Sequence, residues 1–316
     1  MTTDSAVVLA VDVGGTGLKG AVVDAHGRSV VLREEPSRAA GRNVEENLLE
    51  LLDDLAQDAA ARGVQPVAVG VGAPGTVEES SGTIVYASNL GWRRFPLRAV
   101  LEEATGLPVA VGHDARAAGR AEHLASVTSG GTGGNFVFVP VGTGIAAAIV
   151  VGGVALDGAR GAAGEFGHVI VHPGGEPCPC GQRGCVEAYA AGAAVLRRYT
   201  ARGGRAASST AEVVARLGAD AHADAVWADA VRALALGLQG LTMLLDPAEI
   251  VLGGGVSRAG RALLDPLAGE LGQLLAWRAA PPLTTARWGT GAGRIGAALL
   301  AFERAGIVPE FVPPTR

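Results

Sequence analysis

Short apolar runs joined by glycine turns set the pattern at the start of the chain. Residues 6–13 are apolar apart from Asp12, which predicts a buried strand. A tight turn at residues 14–17 follows, and residues 20–24 and 29–33 are predicted to form the second and third strands of a meander. The first glycine turn therefore joins two strands.

Helical periodicity governs much of the remaining chain. Segment 43–62 carries leucines on one face and acids on the other, which predicts an amphipathic helix. Helical spacing also predicts helices at 97–105, 115–125, 186–199, 211–217, 224–245 and 293–305. Short apolar runs predict strands at 67–71, 109–111 and 249–252. Residues 173–184 are rich in Gly, Pro and Cys, which predicts an irregular loop.

The order strand, glycine turn, strand occurs a second time. Residues 136–141 and 145–151 are apolar and flank a Gly-Thr-Gly turn that begins at Gly142. This internal repeat suggests two lobes of related topology. Residues 127–135, rich in Ser, Thr and Gly, are predicted to form a loop close to a domain boundary.

Composition and charge narrow the classes of partner. The chain has 316 residues, 48% of them hydrophobic, which is enough for substantial cores. A net charge of −5 and the lack of a Lys/Arg run argue against a nucleic-acid or membrane surface. The uncharged stretch 135–156 is long enough to span a bilayer, but Pro140 and several glycines favour buried strands instead. With no signal peptide recognised, we expect a cytoplasmic protein with a small-molecule partner.

The motif Asp-Val-Gly-Gly-Thr-Gly-Leu-Lys contains groups suited to a phosphate. The N–H groups of Gly14 and Gly15 can point at an anion without side-chain obstruction. Asp12 can hold Mg²⁺, Thr16 offers a hydroxyl, and Lys19, the one lysine in the chain, adds positive charge. A purely structural hairpin turn is the alternative, which these polar residues disfavour.

Two other phosphate-binding motifs do not fit these residues. A P-loop needs glycine directly before its lysine, where Leu18 stands. A dinucleotide fingerprint needs a helix after the glycines, where a strand is predicted.

Three cysteines and a histidine have spacing typical of a metal site. They are His168, Cys178, Cys180 and Cys185, in the pattern H-x9-C-x-C-x4-C. Three thiolates and one imidazole are a common tetrahedral zinc set. A redox pair would need C-x-x-C or a thiol of low pKa, so a structural Zn²⁺ is favoured.

These motifs together resemble the ROK family of sugar kinases and repressors, within the actin/hexokinase superfamily. The Asp12–Lys19 motif resembles the first phosphate motif of that family, 142–144 its second phosphate turn and 253–255 its adenosine turn. The resemblance implies that ATP and Mg²⁺ are bound by Asp12, Gly14, Gly15, Thr16, Lys19, Gly142, Thr143, Gly144, Gly254 and Gly255.

The resemblance also implies an α/β, two-lobed actin-like (ribonuclease H-like) fold with an interlobe cleft and a zinc-bound loop. We expect residues 1–114 and a C-terminal helix at about 300–316 to form the small lobe. Residues 115–299 would form the large lobe, with the second phosphate motif, the zinc loop and the adenosine motif. ROK kinases are commonly dimers or tetramers, so a homodimer or homotetramer is expected.

A sugar site and a catalytic base follow from the same resemblance. The pattern E-x-x-G-H, then C-x-C-G-x-x-G-C-x-E, occurs in the zinc-loop region, and Asp114 matches the base that takes the proton of the sugar hydroxyl. The residues implied to contact substrate are Gly75, Asn89, His113, Asp114, Glu165, His168 and Glu187. Asp114 could also be an ordinary helix N-cap.

The chain departs from the family pattern around this base. His113 stands where Asn is usual, and Arg116 where a small or amide residue is usual. A histidine can still bond a hydroxyl, but it is bulkier and titrates near neutrality. These changes bring glucose itself into question as the acceptor.

The expected function is ATP-dependent phosphorylation of a sugar hydroxyl, with the 6-OH of glucose or a related hexose as first choice. An N-acetylhexosamine, a C7-cyclitol or carbasugar, and a non-catalytic sugar sensor are the alternatives, and polyphosphate is an alternative donor. Only eleven residues precede Asp12, so a repressor with an N-terminal helix-turn-helix is not expected.

Overall fold

The computed structural model of the chain describes residues 6–38, 42–131 and 133–314. Backbone contacts divide it into two compact units. The first comprises Met1–Gly131, Asp157–Ala163 and Gly291–Arg316, and the second comprises Thr132–Leu156 and Gly164–Thr290.

The first unit contains a five-stranded sheet in the order β3-β2-β1-β4-β8. Its strands are β1 (Val7–Val13), β2 (Gly17–Asp24), β3 (Ser29–Pro36), β4 (Pro66–Ala73) and β8 (Val109–His113). The first three strands are antiparallel, and β4 and β8 run parallel to β1. The predicted N-terminal meander is confirmed. A separate small sheet, not predicted from the sequence, contains β5 (Thr76–Glu78), β6 (Thr83–Ala87) and β7 (Trp92–Phe95).

In the described part of the first unit there are four α-helices: α1 (Val44–Ala61), α2 (Leu97–Thr105), α3 (Asp114–Thr128) and α9 (Ala292–Arg304). The amphipathic helix predicted at 43–62 is confirmed, and Asn43 and Glu46 form a capping box at its start. The leucines of α1 cover one face of the sheet, where Gly20 leaves room for Leu51 and Leu55.

Helix α9 packs closely against the opposite face of that sheet and against α3. A Cβ atom on Gly70 of β4 would lie 1.9 Å from the carbonyl oxygen of Ala297 in α9. A Cβ atom on Gly296 would lie 2.2 Å from the carbonyl carbon of Ala117 in α3. Because α3 packs on α9, the first unit extends beyond residue 114, where we expected it to end. The helix predicted at 293–305 is confirmed as α9, so the C-terminal helix assigned to this lobe at about 300–316 begins earlier and ends at Arg304.

The second unit repeats the topology of the first. Its sheet has the order β11-β10-β9-β12-β13, formed by β9 (Phe136–Pro140), β10 (Ala148–Val151), β11 (Val154–Ala155), β12 (Glu249–Gly253) and β13 (Leu283–Thr285). Again three antiparallel strands are followed by two parallel ones. The repeat predicted from the two strand–turn–strand segments is confirmed.

The helices of this unit are α4 (Glu187–Ala190), α5 (Gly192–Ala201), α6 (Thr210–Val214), α7 (Ala221–Leu245) and α8 (Arg261–Leu274). The single helix predicted at 186–199 is wrong, because Ala191 is extended (ψ 148°) and separates α4 from α5. At this break the N–H of Gly192 donates to the carbonyl of Gly142 at 2.8 Å.

One helix, α7, is long and apolar enough to cross a membrane by length and composition alone. Its buried residues, among them Trp227, Leu234 and Leu238, belong to the hydrophobic core of the second unit. Core helices of globular proteins pass the same test. The stretch 135–156 contains strands β9, β10 and β11, as predicted.

The packing of α9 gives a direct test of the fold. We expect Gly70→Ala to destabilise the protein by about 3 kcal/mol or more, because the new methyl group would overlap the backbone of Ala297. Gly269→Ala in α8 is the matched control, since its methyl group would meet open space. That change should stabilise by roughly 0.5–1 kcal/mol. Urea unfolding measures both, and equal stability of the two variants would contradict this packing.

Candidate active site

The first glycine turn joins β1 to β2 and leaves its tip open. The N–H of Gly14 donates to the carbonyl of Gly17 at 2.8 Å, and a Cβ on Gly14 would come within 2.9 Å of that oxygen. Gly15 and Thr16 are exposed, and their N–H groups donate to no other described residue. Ser37 Oγ donates to the carbonyl of Gly14 at 2.7 Å and holds the turn. The free N–H groups suit an anion.

Three charged residues lie side by side on the sheet next to this turn. Antiparallel pairing places Asp12 opposite Lys19, and Lys19 opposite Glu34. Opposed residues share a face, so the three side chains form one row. Helix α9 reaches this row at Gly293, where a Cβ would lie 2.3 Å from Asp12 Oδ2. The next residue, Arg294, places Nη1 3.4 Å from Glu34 Oε1.

The environment of the Asp12 carboxylate disfavours its ionised form. Its pKa is raised to about 6, mainly because burial desolvates the carboxylate and also because Asp114 is nearby, while Lys19 and Arg294 act in the opposite direction. Two neighbouring carboxylates favour the binding of a divalent cation, and Mg²⁺ prefers oxygen ligands. The sequence pattern could not identify Arg294, because its position beside Asp12 depends on the packing of α9.

The junction of β8 and α3 carries the predicted base. Asp114 is the first residue of α3, and its Oδ1 accepts from the N–H of Ala115 at 2.5 Å. The N-cap is His113, whose Nδ1 accepts from the N–H of Arg116 at 3.4 Å and lies 3.3 Å from Asp114 Oδ1. The N-cap reading of Asp114 is therefore wrong, and its side chain, 32% exposed, is accessible to a ligand.

Arg116 is buried and joins three segments of the first unit. Its guanidinium donates to Glu79 Oε1 through Nη2 at 2.9 Å and to the carbonyl of Gly161 at 3.0 Å. Asp157 Oδ1 lies 3.2 Å from its Nε. Glu79 Oε1 also accepts from the backbone N–H of His113 at 3.1 Å. Arg116 thus braces the junction that carries Asp114, a role that Glu79 shares and that the sequence did not reveal.

Two other predicted sugar contacts lie in the first unit. Asn89 is exposed beside the first glycine turn, since a Cβ on Gly15 would lie 3.1 Å from its Nδ2. Gly75 has φ +91°, and a Cβ there would come within 2.2 Å of the carbonyl oxygen of Tyr86. Trp92, close to Asn89 in sequence, is buried and donates to Glu45 Oε1 at 2.7 Å, so it packs within the first unit.

In the second unit, the two remaining glycine turns are neighbours. They follow β9 and β12, which are adjacent parallel strands. The N–H of Gly142 donates to the carbonyl of Gly144 at 2.9 Å, and Thr143 is exposed. Gly254 has φ +76°, and a Cβ there would lie 2.5 Å from the carbonyl oxygen of Val141. Close packing therefore requires glycine at the point where the two turns meet.

Glu187, at the start of α4, ties the zinc-loop region to the second phosphate turn. Its Oε2 accepts from the N–H of Ile145 at 2.8 Å. A Cβ on Gly144 or Gly167 would lie 2.9 or 3.2 Å from the same oxygen. Glu187 therefore has a structural bond in addition to any contact with substrate.

The predicted metal ligands converge. The ligand atoms of His168, Cys178, Cys180 and Cys185 all lie within 4.8 Å of one another. The distances from His168 Nδ1 to Cys178 Sγ and from Cys180 Sγ to Cys185 Sγ are both 3.7 Å. Tetrahedral Zn²⁺ with ordinary bond lengths needs ligands roughly 3.7 Å apart. Glu165 Oε2 lies 3.9 Å from His168 Nε2 and so faces the other ring nitrogen.

Two of the three thiols in this cluster resist ionisation, whereas the pKa of Cys180 is lowered because hydrogen bonds to its sulfur outweigh desolvation. Burial raises the pKa of Cys185 to about 12 and also raises that of Cys178. A coordinated metal ion would compensate for this burial by holding the thiolate form. The donor set therefore fits Zn²⁺.

Comparison with known proteins identifies the family. The ROK family pattern matches residues 8–304, and the chain therefore belongs to the ROK family. Glucokinase from Streptomyces coelicolor is 34% identical over 320 residues, covering 94% of this chain and 98% of the relative. N-acetylmannosamine kinase from Citrobacter koseri is 34% identical over 308 residues, covering 93% and 98%.

The fold has a close counterpart among solved structures. A ROK glucokinase from Streptomyces griseus, in complex with glucose and AMPPNP, superposes with a TM-score of 0.81. It is 31% identical, and the match covers 94% of this chain and 99% of that one. The α/β actin-like kinase fold expected from the sequence is confirmed.

The raised pKa of Asp12 predicts that this carboxylate lowers the free energy of unfolding at neutral pH but not at acid pH. A raised carboxyl pKa stabilises the fold below about pH 4, and that contribution is lost as the pH rises through about 6. Asp12→Asn should therefore stabilise the ligand-free, metal-free protein above pH 7 by at most about 3 kcal/mol. The gain should vanish at pH 4.

Urea unfolding across pH 4–8 measures this effect. Asp265→Asn, which removes an exposed charge from α8, controls for the change in net charge. A gain for Asp12→Asn that is independent of pH would show that Asp12 is not the group responsible.

Proposed function

We propose that the protein is an ATP-dependent kinase that phosphorylates a hexose, with the 6-OH of glucose as the first candidate acceptor. The observation that carries the proposal is the open glycine turn of the first unit with two carboxylates, Asp12 and Asp114, close to each other. The glucokinase relatives, one of them in complex with glucose and AMPPNP, support both the donor and the acceptor.

In this proposal Asp114 is the base. Its accessible carboxylate accepts the proton of the attacking hydroxyl while the new O–P bond to the γ-phosphorus forms and the bond from that phosphorus to the bridging oxygen breaks, releasing ADP. The N–H groups of Gly15 and Thr16 and the ammonium of Lys19 stabilise charge on the phosphates. Asp12 would hold Mg²⁺, which supplies positive charge to the phosphates when bound. Arg116 and Glu79 keep Asp114 in position by bracing the start of α3.

Each unit carries part of the recognition machinery. Sugar contacts are assigned to Gly75, Asn89, His113 and Asp114 in the first unit and to Glu165, His168 and Glu187 in the second. Nucleotide contacts in the second unit are assigned to Gly142, Thr143, Gly144, Gly254 and Gly255. The exposure of Thr143 and Gly255 at neighbouring turns supports this assignment.

Zn²⁺ on the four-residue cluster is proposed as structural. All four protein ligands are present, so a tetrahedral ion would have no open position for substrate. The ion would order the segment between His168 and Glu187, and with it the orientation of Glu165. Loss of the metal is therefore expected to affect sugar binding before catalysis.

A second acceptor class has specific support. His113 replaces the Asn usual in the family, and N-acetylmannosamine kinase is as similar to the chain as glucokinase. An N-acetylhexosamine is therefore the main alternative, followed by a C7-cyclitol or carbasugar. Polyphosphate as donor and a non-catalytic sensor role stay alternatives, and a homodimeric or homotetrameric state stays a prediction.

The assay that tests this function is ADP release with ATP and Mg²⁺ against glucose, mannose, fructose, allose, both N-acetylhexosamines and a C7-cyclitol. One acceptor should stand out by kcat/KM. Asp114→Ala should lower kcat by roughly 10²- to 10⁴-fold, because the hydroxyl loses its base, while sugar binding by calorimetry persists. Asp265→Ala, at an exposed site on α8, is the control and should match wild type. Normal turnover by Asp114→Ala would remove Asp114 from this role.

The zinc proposal has its own test. We expect one zinc per chain by elemental analysis, and Cys185→Ser should lose it, because three ligands hold the ion far less tightly than four. The sugar KM should rise and the melting temperature should fall. Gln182→Ala, beside Cys185 in the same loop, should retain the metal. Purified wild-type protein without zinc, yet with ordinary sugar affinity, would refute the proposal.

A further inference from the structure

Arg294 is a charged side chain that the proposed mechanism leaves without a role. It is the third residue of α9, and its side chain is only 12% exposed. Its Nε is buried and has no hydrogen-bond acceptor among the described residues. Among the described residues its one ion pair within 4 Å is to Glu34, at 3.4 Å, and the Glu34 side chain is 67% exposed; Asp12 acts on it electrostatically from a greater distance. Such a pair contributes little, so the buried guanidinium is poorly satisfied.

The position of Arg294 is next to the first phosphate motif. Gly293 packs against Asp12 at one end of the charged row, and Arg294 extends to Glu34 at the other end. Lys19 lies between them in the strand register. The guanidinium and the ammonium are therefore two cations beside the strand that leads out of the glycine turn.

The location of Arg294 in the first turn of α9 adds an unfavourable electrostatic interaction. The first turn of an α-helix carries partial positive charge, so a cation there is destabilising. The first turn of α9 has no acidic residue of its own, and the carboxylate that packs against it at Gly293, Asp12, is the group proposed to hold Mg²⁺. An anion bound beside Arg294 would remove this conflict and fill the hydrogen-bonding capacity of the guanidinium at the same time.

We propose that Arg294 binds a phosphate of the nucleotide held at the first glycine turn. This inference rests on the proposed function, because it takes the ligand of that turn to be a nucleoside di- or triphosphate. Arginine suits the task, since its planar set of N–H donors matches two phosphate oxygens. Lys19 and Arg294 would then hold the distal phosphates together, and Arg294 would not contact the nucleoside.

The alternative is that Arg294 only forms an ion pair with Glu34 and offsets negative surface charge. The two readings differ for Glu34→Gln. If Arg294 serves only Glu34, removing either partner has the same effect. If Arg294 binds phosphate, Glu34→Gln should bind nucleotide as tightly as wild type or more tightly, whereas Arg294→Gln should bind it more weakly.

The experiment is calorimetric binding of AMP, ADP and AMPPNP, with Mg²⁺, to the full chain. Arg294→Gln should bind ADP or AMPPNP about 10- to 100-fold more weakly, as expected for loss of a charged hydrogen bond, and should bind AMP like wild type. Arg294→Lys should recover part of the loss, since it restores charge but not the planar donors. Arg304→Gln, on the same helix and paired with Glu102, is the control for α9.

The outcomes separate cleanly. A loss confined to ADP and AMPPNP, or to AMPPNP alone, supports the proposal. An equal loss for AMP, or no loss at all, overturns it. If Arg294→Gln does not fold, the same ligand series on Arg294→Lys decides, and an unchanged affinity there together with weaker binding by Glu34→Gln overturns the proposal.

Failure of the proposed function would look different. A wild-type protein that phosphorylates no sugar, yet binds ADP through Arg294, would leave this inference standing and refute the kinase. If the wild-type protein is an active kinase and Arg294→Gln binds ADP and AMPPNP as tightly as wild type, the kinase proposal stands and this inference is refuted. Wild-type protein that binds no nucleotide would refute both.

Discussion

The close approach of α9 to the sheet of the first unit is the constraint on which its candidate site depends. Glycine supplies the contact surface at Gly70 on β4 and at Gly293 and Gly296 on the helix, where a Cβ would fall within 1.9–2.3 Å of neighbouring atoms. At this distance the helix covers Asp12 and removes water from its carboxylate. The raised pKa of Asp12 and the position of Arg294 are both consequences of this packing.

In the second unit, the side chain of Glu187 links two segments of the candidate site. Glu187 directly follows the segment that carries the predicted metal ligands and accepts a hydrogen bond from the N–H of Ile145, the residue after the 142–144 turn. Glycine at 144 and 167 leaves room for that carboxylate. One residue assigned to the sugar is thus fixed by the turn assigned to the nucleotide, so a change in either segment reaches the other within this unit.

Local chemistry explains which features the sequence could predict. The strands β1, β2, β9 and β12, the three glycine turns and the metal ligands all follow from short-range pattern, and the structure has them at the expected residues. The small sheet β5–β7 was missed because its strands are short and partly exposed. Helix α8 was missed as well, although its buried leucines recur at helical spacing.

Other features depend on contacts between distant segments. The break at Ala191 arises where Gly192 bonds Gly142, some fifty positions earlier; Gly192 alone is a weak signal, because an isolated glycine is tolerated within a helical pattern. Arg294 and Glu79 acquire their neighbours only through the packing of α9 and through the β5–β6 turn. The substrate and nucleotide roles of individual residues rest on family resemblance rather than on such contacts.

The unusual residues around Asp114 form a coherent set. Arg116 is buried, and its partner Glu79 also receives the backbone N–H of His113, so the first turn of α3 is braced from both sides of the base. A chain that had lost catalysis would have little reason to keep Asp114 accessible within such a network. His113, by contrast, replaces the residue that the family resemblance assigns to the sugar, and its buried side chain caps α3 through Nδ1. The departures therefore favour a change of acceptor over a loss of phosphoryl transfer.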